Sequence, residues 1–181
     1  MASWSVDRSR VLTRTEIGLV LEDLGRRARR SRLTRRNLII FRLATCCGLR
    51  VGELTRLEFR DLQLQRDRPC LVVRAETSKG RQRRTVPLWW DGGTLHDLVE
   101  WVATQRALGA TDKDLVVATR RRTRIDGAAA RRAFQSACKI LGRHVTIHDG
   151  RHSFASHAIH SGRSLVEVRD VLGHRNLSTT S

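Results

Sequence analysis

The chain has 181 residues, 40% of them hydrophobic, with 35 Lys and Arg against 18 Asp and Glu and a formal charge of +17. That length and apolar content support one folded domain and exclude a disordered tail, while the charge calls for a polyanionic partner, nucleic acid above all, through counterion release. No apolar run approaches membrane-spanning length and no secretion signal opens the chain, so a cytoplasmic protein with no membrane partner is expected.

Thr13-Arg14-Thr15-Glu16 has capping-box spacing ahead of Ile17, Leu21 and Leu24 and predicts a helix over 13–29. A second helix is expected to follow Thr34 and end at Gly48, with a short continuation over 51–57 that leaves Arg50 at a helix junction. Segments 59–64, 70–75 and 84–88 read as strands of a small antiparallel sheet, and the polar stretch Thr77 to Arg83 as the connection between the last two. Helical spacing returns over 94–108. Leu115 to Ala118 is a short apolar segment, and Arg120 to Arg124 a basic loop. Asp126 caps a helix running to Leu141, His148 to Ser161 forms the next, and Ser164-Leu165-Val166-Glu167 opens one that stops at Gly173. The fold class is therefore α+β, a single mainly helical domain with a small antiparallel sheet.

Only Lys79, Lys113 and Lys139 among the basic residues are lysines. Arginine forks bidentately onto phosphate oxygens where lysine acts as a point charge. Cys46, Cys47, Cys70 and Cys138 form no Cys-x-x-Cys pair, so reduced thiols are expected and not disulfides or zinc ligands.

Breaking a phosphodiester by nucleophilic attack requires the non-bridging oxygens to be neutralised as charge develops, and two arginine forks do this without metal or cofactor. Arg50 and Arg151 are the candidates. An imidazole can hydrogen-bond the same oxygens or relay a proton, and a lysine can protonate the departing sugar oxygen. His148, His174 and Lys79 suit those tasks by type. Taken singly, each residue has a plain structural explanation; the set, in its order along the chain, does not.

Gly48-Leu49-Arg50-Val51-Gly52-Glu53-Leu54 resembles the first-arginine motif of the tyrosine recombinases, the phage integrase family. The run from Thr77 to Leu88 resembles the hairpin carrying that family's active-site lysine, His148-Asp149-Gly150-Arg151-His152 its H-x-x-R box, and Leu172-Gly173-His174 the segment leading to its nucleophile. The resemblance implies a catalytic domain spanning 1–181, with Arg50, Lys79, His148, Arg151 and His174 in the active site, Lys79 as general acid and Glu53 orienting Arg50. Arg81, Arg83, Arg84 and Arg175, beside those residues, are the expected DNA contacts. Gly150 replaces a usual apolar residue and is expected to loosen packing beneath Arg151.

The family's nucleophile is a tyrosine, and the chain has none. By the match it would fall just past Ser181, which is itself misplaced for the role. The resemblance thus implies a site-specific recombinase domain lacking the N-terminal core-binding domain and the C-terminal tyrosine segment, inactive as it stands in DNA strand breakage and rejoining through a 3′-phosphotyrosine. It also implies double-stranded DNA as partner, a bacterial cytoplasmic setting, and assembly with further copies on DNA, though without the exchanged C-terminal helix. The alternative is a non-catalytic DNA-binding module that competes with an intact recombinase. A metal-dependent hydrolase built on His148, His152, His157 and His160 is disfavoured, because Arg151 would repel the cation and no glutamate lies within the first pair. His152 and His157 are read instead as helix packing beside the site.

Overall fold

One apolar helix organises the fold. The computed structural model of the chain describes residues 10–78 and 80–173. In α2 (Arg32–Thr45) the residues Leu38, Ile39, Ile40, Phe41, Leu43, Ala44 and Thr45 are all buried, so the helix is enclosed through most of its length. Four helices enclose it: α1 (Arg14–Ala28), α4 (Gly92–Ala107), α5 (Gly127–Ala137) and α6 (Ile147–His160). Phe41 of α2 stacks on Phe134 of α5 with ring centroids 5.4 Å apart. Both rings are fully buried, and burial of a side chain of this size contributes about 1.5–3 kcal/mol.

Local sequence sets the helix ends. Thr13 Oγ1 accepts the Glu16 N–H at 3.1 Å while the Glu16 carboxylate accepts the Thr13 N–H at 2.8 Å, closing the capping box expected for α1. Ser31, not Thr34, caps α2, and Thr34 donates its N–H to Ser31 Oγ at 3.2 Å, so the helix starts earlier than expected. It also ends earlier, at Thr45, and Gly48 lies in the turn beyond. The short α3 (Val51–Leu54) follows. Asp126 caps α5, which tightens into a 3-10 turn over Cys138–Leu141 before Gly142 ends it. Reciprocal caps at Thr146 with Asp149 and at Ser164 with Glu167 open α6 and α7 (Leu165–Leu172).

The sheet is smaller than expected. Phe59–Asp61 forms a 3-10 turn instead of the start of a strand, because Asp61 Oδ2 accepts the Glu58 N–H at 2.9 Å and curls the chain. Strands β1 (Leu62–Gln63), β2 (Cys70–Val73) and β3 (Arg84–Pro87) then pair antiparallel in the order β1-β2-β3, with Val73 opposite Arg84 and Cys70 opposite Pro87. Along β3, Arg84 and Val86 point inward and Thr85 outward. All four cysteines are free, and burial pushes the Cys46 thiol up to about 11 and the Cys138 thiol up to about 12. Among the described residues no helix is long and apolar enough to cross a membrane.

Candidate active site

Gly48 shapes the site. Its left-handed backbone (φ +65°) carries the chain from α2 toward α3, and a β-carbon there would lie 2.6 Å from Phe154 Cδ1 and 2.9 Å from Leu172 Cδ2. Only glycine suits such a position without strain. The Gly48 carbonyl accepts a hydrogen bond from Arg151 Nη1. Two residues on, Arg50 stands at the N-cap of α3 in extended conformation, which directs its side chain out of the packed elements.

Arg50 and Arg151 come together. Arg50 Nη1 donates to the Leu172 carbonyl at 3.4 Å and Arg151 Nη2 to the same oxygen at 2.7 Å. Glu53, buried at 3% exposure, accepts the Arg50 N–H at 2.9 Å and Arg50 Nη1 at 3.2 Å. Burial pushes the Glu53 carboxyl up, but the hydrogen bonds and charge of Arg84 outweigh it and hold the group below the usual carboxylate range. One carboxylate thus holds two guanidinium groups, those of Arg50 and Arg84. Burial, with Arg50 close by, pushes Arg151 down to about 9, so the pocket holds positive charge that an incoming anion would relieve.

His148 sits in the first turn of α6 and is exposed. Its ring meets that of His152 edge-on, centroids 4.4 Å apart. The partial loss of solvation where its ring is covered by neighbours, then the charge of Arg151, lowers His148 from its ordinary value. Burial, then His148, lowers His152. His152 therefore packs against a site residue, while His157 Nε2 reaches the Leu12 carbonyl at 2.7 Å on the far part of the helix. Among the described residues no group of three His, Cys, Asp or Glu side chains is placed to hold a metal ion.

A cleft of about 360 Å³ opens beside Arg50, lined also by Val51, Gly52, Glu53, Arg56, Thr77 and Ser78. Thr77 and Ser78 bring the β2–β3 connection to the cleft. Lys79 itself lies outside the described residues, as do His174, Arg175 and Ser181. Arg81 and Arg83 are exposed on the same connection. Arg84 is not on the surface, which corrects its reading as a DNA contact. Its side chain is 6% exposed, Nη1 and Nη2 grip both Glu53 oxygens at 2.8 and 2.7 Å, and Nε donates to the Val171 carbonyl at 2.7 Å. The alternation Arg84, Val86, Leu88 carried that signal, since apolar residues two and four places on mark an inward face. Arg56 on the cleft and Arg10, which pairs with Asp149 beside His148 at 3.1 Å, are further basic residues that motif spacing did not single out.

Gly150 requires a second correction. A β-carbon there would lie 2.8 Å from Thr45 Oγ1 and 2.9 Å from Phe134 Cζ, so the helix carrying Arg151 sits close against α2 and α5 instead of loosely above them. The missing side chain is replaced by the Phe134 ring.

The phage integrase family model matches residues 11–181. Tyrosine recombinase XerC of Proteus mirabilis is 33% identical over 135 residues, which cover 74% of this chain and 42% of the relative. Tyrosine recombinase XerA of Thermococcus onnurineus is 31% identical over 172 residues, covering 93% of this chain and 55% of the relative. The chain spans about half the length of such curated relatives. Among solved structures, a XerA recombinase superposes with a TM-score of 0.78 at 24% identity, covering 99% of this chain and 58% of that one. XerH site-specific recombinase bound to its difH substrate in a pre-cleavage complex gives 0.76 at 22% identity, covering 94% and 48%.

Proposed function

Because the chain belongs to the phage integrase family, we propose that it is the catalytic domain of a site-specific DNA recombinase. It grips one phosphodiester of double-stranded DNA between Arg50 and Arg151. The observation that carries this reading is their convergence on the single Leu172 oxygen, from positions 101 residues apart in the chain, next to an exposed imidazole and an open cleft. Two guanidinium forks aimed at one electron-rich oxygen have the geometry needed to neutralise a phosphate as charge develops on it. His148 and His174 would hydrogen-bond the non-bridging oxygens, and Lys79 would give its proton to the departing 5′-oxygen. Arg81, Arg83 and Arg175 would hold the flanking backbone. Residues 1–181 act as one domain, on DNA in the bacterial cytoplasm, and assemble with further copies there.

The reaction of such a site needs a phenolic hydroxyl to attack phosphorus, form a 3′-phosphotyrosyl bond and release a 5′-hydroxyl. The 181 residues contain no tyrosine. A second reading is a DNA-binding module that occupies recombination sites and competes with an intact recombinase. The test of the DNA reading is incubation of the chain with suicide duplexes, followed by denaturing electrophoresis, beside a salt-titrated binding assay on the same DNA. Binding at low salt with no covalent band is expected. A covalent band would show an unsuspected nucleophile, and no binding at low salt would overturn the DNA reading.

A further inference from the structure

Arg84 differs from Arg50 and Arg151 in what it holds. It takes both oxygens of Glu53 at 2.8 and 2.7 Å, whereas the Arg50 side chain touches that carboxylate through one longer contact of 3.2 Å and keeps 28% of its surface exposed. Two parallel hydrogen bonds between planar groups make the stronger ion pair. Arg84 is also sealed in place, since a β-carbon at Gly173 would lie 3.0 Å from its Cδ.

Glu53 carries two conflicting demands. It must sit beside Arg50, because its carboxylate caps the first turn of α3 and fixes the guanidinium. Yet an unshared carboxylate in a buried setting attracts a neighbouring cation far more strongly than in water, and would cancel the charge a phosphate requires. We propose that Arg84 is a positioning residue that absorbs the charge of Glu53, so that Glu53 orients Arg50 without neutralising it and Arg50 and Arg151 remain cationic toward an external phosphate. This rests on the reading of those two arginines as a phosphate grip. The Arg84 bond to the Val171 carbonyl adds to the same effect, for it fixes the helix end whose next carbonyl meets both forks.

The test is titration of the 181-residue chain with inorganic phosphate at low, constant ionic strength, followed through the Nε–Hε signals of Arg50 and Arg151. Arg84→Met is expected to weaken phosphate binding roughly tenfold, the loss of about one charge-assisted contact. Adding Glu53→Gln to Arg84→Met removes the negative charge that Arg84 had absorbed while the glutamine amide oxygen still accepts from Arg50, and should restore affinity to within about twofold of the parent. Unchanged affinity in Arg84→Met would overturn the role of Arg84 and leave the phosphate grip standing. No response of either arginine in the parent chain would overturn the grip, and this proposal with it. Where Arg84→Met alone does not fold, the double variant decides. Affinity near that of the parent supports charge absorption; affinity still roughly tenfold weaker overturns it, because a purely architectural arginine is not rescued by deleting its partner's charge.

Discussion

Arg50 and Arg151 donate to one and the same atom, the Leu172 carbonyl oxygen, at 3.4 and 2.7 Å. That oxygen ends α7, where the helix dipole is negative, so both forks already rest on partial negative charge. Inorganic phosphate at constant ionic strength should therefore raise the thermal midpoint, by an amount equivalent to about 2.7 kcal/mol at a hundredfold excess over its dissociation constant. Arg50→Ala and Arg151→Lys should each remove most of that rise in scanning calorimetry. An equal rise in the Arg50→Ala protein would contradict the grip.

The two histidines make the fold sensitive to acid. Both are lowered from the ordinary value of 6.5, His148 by partial loss of solvation and Arg151, His152 by burial and His148. Between 6.5 and their lowered values the unfolded chain binds more protons than the folded one, so stability falls as pH drops through that window. His148→Gln with His152→Gln should flatten this limb of the stability profile. Imidazole titrations by NMR should place both groups below 6.5, and phosphate should move His148 upward.

Gly150→Ala sets two effects against each other. Alanine in place of glycine gains about 1 kcal/mol of helix propensity, but the added carbon meets Thr45 Oγ1 at 2.8 Å and Phe134 Cζ at 2.9 Å in the core. Overpacking costs about 1–3 kcal/mol, so a net loss is expected in urea denaturation. Adding Phe134→Leu should recover part of it if the ring is what blocks the space.

The sequence made the helix starts legible wherever the cap is local: Thr13 with Glu16 and Ser164 with Glu167 satisfy each other within three residues. Where two candidate caps stood close together, as Ser31 and Thr34 do, spacing did not rank them. The 59–61 strand failed because an Asp61 bond to the Glu58 backbone overrode the apolar alternation. The motifs singled out Arg50 and Arg151, whose side chains meet at the Leu172 carbonyl, but did not show that Arg84 is buried, because its partner Glu53 lies 31 residues away. A neighbour in sequence to exposed arginines looks like one of them until strand register turns it inward.

Surface arginines and Arg84 should separate cleanly in salt dependence. Arg81→Gln and Arg83→Gln, both exposed, should each lower the slope of log affinity against log salt for duplex DNA by about 1. Arg84→Lys, at a buried position, should leave that slope unchanged. A reduced slope in Arg84→Lys would mean that this side chain reaches DNA after all.

Ser153 joins the segment before α1 to the helix bearing Arg151. Its hydroxyl accepts the Leu12 N–H at 2.8 Å and donates to the Asp149 carbonyl at 2.7 Å, with the residue fully buried. Ser153→Ala leaves the Leu12 N–H without that acceptor and should cost about 1–3 kcal/mol. Hydrogen exchange should show the loss of protection centred on Leu12, and unchanged protection there would contradict the link.

The same attachment bears on how the molecule is built up in time. Leu12 meets Ser153 and His157 across separations of 141 and 145 residues, and closing loops of that length carries an entropic cost before any contact rewards it. During synthesis the segment around Leu12 can be secured against Ser153 and His157 only after α6 has emerged. Until then Val20 and Leu24, which end up buried, lack part of their cover. The helix with Arg151 and the segment before α1 therefore depend on each other for their final attachment.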